Sequence, residues 1–268
     1  HINNNNLPKK ILRWYDNNQR TLPWRISANL KKKHYYRLLS EFMLQQTQVK
    51  TVIPYFNNFV KKIPSLEALS KTNEKRVLKL WEGLGYYRRA KNLHKTSKIL
   101  IKKYNGKIPS SFIMLKELPG IGDYTANILL ALLYNRPRIG LDGNVKRVLS
   151  RLFDEDIWDK TNLFKTKRNN DLAEALMEFG ALICKVKDPA CSKCKIKKIC
   201  SYYQLGSKIK FNKKIKIIPK SYDIFCYLKK NKKQIALTKN SSLSFLKKFN
   251  IPKIKETSKK KKKLGIFM

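Results

Sequence analysis

The sequence predicts an all-α body followed by a short, lysine-rich end with β character. Three observations lead there. Apolar residues recur at helical spacing, as in Tyr35, Leu38, Leu39, Phe42 and Met43, the stripe of a buried helix face. Alternation of apolar and polar residues, the mark of half-buried strands, is absent as far as Gln204. After that the composition shifts: from Leu205 to Met268 there are twenty Lys against Asp223 and Glu256, a net of +18. At 268 residues the chain can bury a sizeable core in one large or two modest domains.

In chain order, Lys9 to Asn17 forms a short amphipathic helix with Ile11, Leu12 and Tyr15 on one face, broken by Thr21-Leu22-Pro23-Trp24-Arg25. The Tyr35 stripe follows and carries Glu41 at its edge, three residues from both Leu38 and Leu44. Burial there would raise a carboxyl pKa, as a general acid requires, whereas a boundary position in water would leave it ordinary. The amide-rich Leu44-Gln45-Gln46-Thr47-Gln48 comes next. Helices are expected at Thr51 to Lys62, Leu66 to Ala68 and Thr72 to Trp81, punctuated by Pro54 and Pro64. Gly83-Leu84-Gly85-Tyr86-Tyr87-Arg88-Arg89 is a turn joining apolar tips to two arginines. It suits either a wedge in a base stack, with the arginines on phosphates, or a packed helix corner. A basic helix then runs from Asn92 to Tyr104, and Ser110-Ser111 caps the next one.

Leu118-Pro119-Gly120-Ile121-Gly122 joins two helical runs. Its two glycines allow positive φ and close approach of backbone N–H groups to an anion just before a helix near Tyr124. A second glycine-flanked loop holds Asp142. Helices continue at Val145 to Phe153 and at Asp171 to Cys184, where Leu172, Leu176, Phe179 and Ile183 share a face.

Cys184, Cys191, Cys194 and Cys200 follow in the pattern C-x6-C-x2-C-x5-C, four thiols within seventeen residues. Such a set can wrap an iron–sulfur cube or one zinc ion. Cys226 stands apart as a free thiol. Beyond it, Tyr222 to Leu228 and Gln234 to Thr238 are expected to pair as a hairpin, and the remainder, with Lys259 to Lys263, as a disordered basic tail.

Sixty Lys+Arg against eighteen Asp+Glu give a net charge of +42, a field that gathers polyanions and makes nucleic acid the default partner. With only twelve Arg beside forty-eight Lys, part of that charge has the look of A/T-rich coding drift. The longest apolar run, Ile128 to Tyr134, falls far short of the ~20 residues a membrane helix needs. The start, HINNNNLPKK, has no signal-peptide core. An intracellular, cytoplasmic protein is expected, in which clustered cysteines bind metal rather than pair.

Taken together, Ser40-Glu41-Phe42-Met43-Leu44-Gln45-Gln46-Thr47-Gln48-Val49, Gly83-Leu84-Gly85-Tyr86-Tyr87, Leu118-Pro119-Gly120-Ile121-Gly122, Leu141-Asp142-Gly143-Asn144-Val145 and the cysteine spacing resemble the MutY-type adenine DNA glycosylases. These belong to the helix-hairpin-helix, iron–sulfur superfamily that includes endonuclease III. The resemblance runs collinearly from about residue 8 to 205. It implies a six-helix barrel with the helix-hairpin-helix (residues 22–136) and a subdomain made of residues 1–21 and 137–204 that carries one [4Fe–4S] cluster on the four cysteines, zinc being the chemical rival. Residues 205–268 would be a linker and a truncated Nudix-like remnant, and the C-terminal domain is expected to be cut short.

The resemblance also implies an activity. A monomeric enzyme would excise adenine from A:8-oxoguanine or A:G mispairs in double-stranded DNA. Glu41 matches the residue that protonates adenine N7, Asp142 the one that stabilises the sugar cation or bonds transiently to C1′, and Asn144 one that orients this centre. Tyr124 matches a helper at the sugar. Leu118, Gly120 and Gly122 match the phosphate-gripping hairpin, with Lys185, Lys187, Lys193 and Lys195 as further DNA contacts. Gln46, Leu84 and Tyr86 match the wedge beside the target pair, Trp24 lines the base pocket, and Glu174 resembles a reader of the flipped adenine. Two other readings stay open. One is an endonuclease III-like lyase, although that reaction needs an amine where this chain has Tyr124. The other is a catalytically decayed DNA-binding protein, against which the retention of both Glu41 and Asp142 counts.

Overall fold

The computed structural model describes residues 7–26, 29–153 and 164–206 in full, and the backbone of 222–225 and 253–256. Residues up to Ile209 form one compact unit, and residues 210–268 a second.

In the first unit, eleven helices are seen among the described residues: α1 Leu7–Asn18, α2 Leu30–Leu44, α3 Val49–Lys62, α4 Leu66–Lys71, α5 Glu74–Leu80, α6 Arg88–Tyr104, α7 Phe112–Lys116, α8 Asp123–Tyr134, α9 Gly143–Phe153, α10 Asn169–Leu182 and α11 Ser201–Gln204. Their starts follow ordinary capping chemistry. The Asn29 side chain accepts from Lys31 N and Lys32 N, Ser65 from Ala68 N and Asn73 from Lys75 N, each satisfying N–H groups that the helix leaves free. Ser111 precedes α7 without a side-chain cap bond, contrary to its expected role. α3 runs through Pro54 unbroken. α6 and α10 begin earlier than expected, at Arg88 and Asn169.

The apolar core is divided. One cluster, from Leu22 to Leu130, gathers α2, α3, α4, α5, α6 and α8 around Phe42, Phe56, Phe59 and Trp81. The other joins α1 (Leu7, Ile11, Leu12, Trp14, Tyr15) to α9 and α10, with Trp14 edge-on to Phe179 at 5.0 Å. The far side of α8 (Ile128, Ala131, Leu132) packs with Ala173 of α10 and ties the two together. The first helix thus packs with α9 and α10, which lie far along the chain from it.

In the second unit, β1 (Tyr222–Phe225) pairs antiparallel with β2 (Lys253–Glu256), Tyr222 opposite Glu256 and Phe225 opposite Lys253. The expected partner of the first strand, Gln234 to Thr238, lies outside the described residues, as do Cys226 and Lys259 to Lys263. The observed partner comes from the stretch expected to be tail. Ile254 and Lys255 alternate as a strand requires, but the lysines around them masked the pattern.

Candidate active site and thiol cavity

Helix α2 ends at Leu44, and Gln46 just beyond it takes φ 58° and is exposed. Arg89 holds this exit. Its guanidinium donates to Met43 O at 2.7 Å, Thr47 Oγ1 at 3.0 Å, Gln45 O, Leu84 O at 3.2 Å and Gly85 O at 3.1 Å. Only 7% exposed, it caps α2 and pins the Gly83–Gly85 turn, so of the two readings open for this residue the packed corner holds and the free phosphate contact does not. The turn swings Leu84 into the core and leaves Tyr86 64% exposed with φ 49°. Of the expected wedge, Gln46 and Tyr86 therefore stand at the surface, while Leu84 does not.

The hairpin before α8 is rigidly seated. Gly120 has φ +81°, and a Cβ there would lie 2.8 Å from Phe42 Cε1 and 2.9 Å from Asn92 Cβ, so only glycine fits. Thr96 Oγ1 donates to Pro119 O at 3.0 Å, and Gln45 Nε2 to Gly120 O at 3.2 Å. Leu118 plugs the core, and Gly122, with open space around it, starts α8.

Asp142 precedes α9 and caps it: Oδ1 accepts from Val145 N at 2.7 Å, and Oδ2 from Asn144 Nδ2 at 3.3 Å. Burial raises its pKa, and the bonds from Val145 and Asn144 work against that. Asn144 Oδ1 accepts in turn from Arg147 Nη2 at 2.7 Å, whose guanidinium also donates to Gly180 O and to the carbonyl of Cys184, both at 2.8 Å. α10 crosses so closely that a Cβ on Gly180 would meet Asn144 Cβ at 2.7 Å.

Asp142, Asn144, Tyr124, Gly120, Gly122 and Gln46 line one cleft of about 1010 Å³. Glu41 is not on its wall. Only 5% exposed, it lies behind Tyr124, whose hydroxyl touches its carboxyl and reaches Met177 Sδ at 3.5 Å. Burial pushes the Glu41 carboxyl up to about 7 against the pull of Arg37, with the charges of Glu174 and Asp142 adding to the rise, and its Oε2 has no hydrogen-bond partner. Burial, with both carboxylates nearby, also drives the Tyr124 hydroxyl well above its ordinary value, so it stays protonated. Burial raises both carboxyls, but Asp142 alone accepts hydrogen bonds from Val145 N and Asn144 Nδ2 that favour its charged form.

Two expected pocket residues sit deeper. Trp24, in a single 3₁₀ turn (Pro23–Arg25), packs edge-on against Phe56 at 5.3 Å in the barrel core. Glu174 is buried, accepting from Tyr15 Oη at 2.6 Å, from Arg25 Nε at 3.0 Å and from Arg37. Burial alone would raise its pKa, but Arg37 and Arg25 outweigh it and hold the carboxylate ionised. Arg25 goes on to Glu178 at 3.0 Å, which Arg20 meets at 2.8 Å. No periodicity within one helix could have revealed this ladder, since its members lie far apart in sequence.

Cys184, Cys191, Cys194 and Cys200 line one small cavity of about 30 Å³ with Val148, Leu152 and Phe179. Burial raises the Cys194 thiol to about 11 and also lifts Cys200. Arg151 donates to Cys184 Sγ at 3.4 Å and its carbonyl accepts from Cys200 Sγ at 3.3 Å. No three His, Cys, Asp or Glu side chains among the described residues converge on a single-ion position. A zinc ion needs its sulfurs all about 2.3 Å from one point, whereas a cube presents a separate iron to each. The four thiols share one cavity, the donor set that either group would use. Lys185, Lys187, Lys193 and Lys195 all project outward beside it.

Comparison with known proteins agrees with this geometry. The family profile described as HhH-GPD superfamily base excision DNA repair protein matches residues 39–189. The chain is 43% identical over 254 residues to an adenine DNA glycosylase of Buchnera aphidicola from Baizongia pistaciae, covering 89% of this chain and 70% of that protein. It is 38% identical over 235 residues to the adenine DNA glycosylase of Buchnera aphidicola from Schizaphis graminum, covering 82% of this chain but only 66% of that one. Among solved structures, a thermostable thymine-DNA glycosylase superposes with a TM-score of 0.67 at 26% identity, over 75% of this chain and 97% of that one.

Proposed function

Because the chain belongs to the HhH-GPD superfamily of base excision DNA repair proteins, we propose that it is a monofunctional adenine DNA glycosylase acting on A:8-oxoguanine and A:G mispairs in double-stranded DNA. One observation carries the reading: Tyr124 and a capped Asp142 line the cleft, and a buried, proton-holding Glu41 stands directly behind Tyr124. Adenine is a poor leaving group, so its bond to the sugar breaks only as a proton arrives on the base and the sugar turns cationic. The base must first leave the helix stack.

In this reading Glu41 delivers the proton to N7, and the Asp142 carboxylate, oriented by Asn144, faces the developing charge at C1′. Water completes the hydrolysis and leaves an abasic site. Tyr124 orders Glu41 but offers no amine, which argues against an imine-forming lyase. Free N–H groups at the start of α8 beyond Gly122 suit a phosphate, and Gln46 and Tyr86 suit the edge of a base stack. Glu174 and Trp24 would reach the base only if it enters deeply. Cys184, Cys191, Cys194 and Cys200 would hold one [4Fe–4S] cluster, which supplies structural cross-linking when bound, and the lysines beside it would meet the backbone of the DNA.

The test is adenine release from a duplex carrying A opposite 8-oxoguanine. Asp142→Asn should bind that duplex yet release no adenine, and an unaffected rate in that variant would sink the assignment. Trapping of a covalent adduct by borohydride would favour the lyase instead.

A further inference from the structure

The ladder behind the site holds one charge too many for its own needs. Arg20, Arg25 and Arg37 contribute three positive charges, and Glu178 and Glu174 two negative ones. Arg25 is shared between both carboxylates, and Arg20 closes the outer end on Glu178. Both ends of the ladder are thus cations, Arg20 in partial contact with solvent and Arg37 buried at the inner end, where water screens its charge least. This side chain is 8% exposed, and it stands four residues before Glu41 on α2, one turn away on the same face. Each of the two carries a buried polar atom with no hydrogen-bond partner among the described residues, Nε on Arg37 and Oε2 on Glu41. Resting on the glycosylase reading above, we propose that Arg37 is a positioning residue for the proton donor: fixed by Glu174, its guanidinium supplies the standing positive charge that sets when Glu41 parts with its proton.

The physical need is clear. A carboxyl buried among apolar neighbours and facing two other carboxylates would hold its proton too tightly to be a useful acid at neutral pH. The groups that face Glu41 are Arg37 on its own helix, Glu174 on α10, Asp142 before α9 and Tyr124 on α8. Of these four, Arg37 alone is cationic. Glu174 serves as its anchor: Tyr15 Oη holds its Oε2, while Arg25 shares Oε1 with Arg37. Proton delivery is thereby tied to the first helix and to α10 through Glu174.

Arg37→Gln keeps a hydrogen-bond donor toward Glu174 and removes the charge; Arg37→Lys keeps the charge and loses the fork. Single-turnover adenine release is measured from pH 5 to 9. For Arg37→Gln the alkaline limb should move up by about one pH unit and the plateau should fall, while Arg37→Lys should leave the limb in place. A purely structural role would lower the rate in both variants without moving the limb, and that result overturns the proposal. Melting temperatures over the same range, with Glu41 and with Glu41→Gln, give a readout free of activity. In both backgrounds the two curves part above the unfolded value near 4.5, but the gap should go on widening to a higher pH in the Arg37→Gln background, and gaps that level off at the same pH would overturn the proposal even if the wild-type chain released no adenine, which would refute the glycosylase reading separately. Should Arg37→Gln not fold, Arg37→Met takes its place.

Discussion

Glu41 carries a cost that its replacement by Gln should expose. Its carboxyl is raised from 4.5 to about 7 in the folded chain, so folding favours the protonated form. Stability from this source is fully present below the unfolded value near 4.5 and is lost as pH climbs through 7. Glu41→Gln cannot ionise and escapes that loss. Its melting temperature should gain on the wild type between pH 5 and 8, toward a difference on the order of 3 kcal/mol at full ionisation. The same change should cut adenine release by ~10²- to 10⁴-fold, the usual worth of a positioned proton donor. Thermal melts at several pH values, paired with rates, separate the two effects; a gain that is flat with pH would mean Glu41 is ionised throughout. The sequence placed Glu41 beside an apolar stripe but could not say on which side of the water boundary it fell. Only the packing of α8 over α2 decides that.

At the level of elements, the approach of α10 to α9 sets where Asp142 and Asn144 point. Gly180 lies inside α10, where alanine would ordinarily gain up to about 1 kcal/mol over glycine. Here its Cβ would press on Asn144 Cβ at 2.7 Å and Asn144 O at 3.0 Å, and backbone cannot yield cheaply. Gly180→Ala should therefore push the first turn of α9 away, destabilise by roughly 1 to 3 kcal/mol, and lower adenine release more than DNA binding. Wild-type rates in that variant would show that the Asp142 loop adapts freely. Much of this scale was legible in the sequence, because helix periodicity, the glycine turns and the cysteine spacing are local signals. The Arg20–Glu178–Arg25–Glu174–Arg37 ladder and the cap by Arg89 were not, since each joins side chains from different elements. The partner of β1 was missed for a related reason: lysines at Lys253 and Lys255 gave that strand the look of a tail.

Across the whole molecule, charge decides how the chain meets DNA, and +42 does not translate directly into contacts. Much of the lysine excess lies beyond Leu205, whereas the described basic surface beside the thiol cavity holds Lys185, Lys187, Lys193 and Lys195. Each lysine that neutralises a phosphate releases counterions and contributes about −0.9 to the slope of log K against log salt. If those four meet the duplex backbone, replacing all of them with alanine should flatten the slope by up to ~3.5, with no change in the base released. Binding titrations on matched and mispaired duplexes at several salt concentrations measure this directly. An unchanged slope would place the DNA away from the thiol cavity, and would leave the phosphate grip to the hairpin at Gly120–Gly122 and to the lysines beyond Leu205.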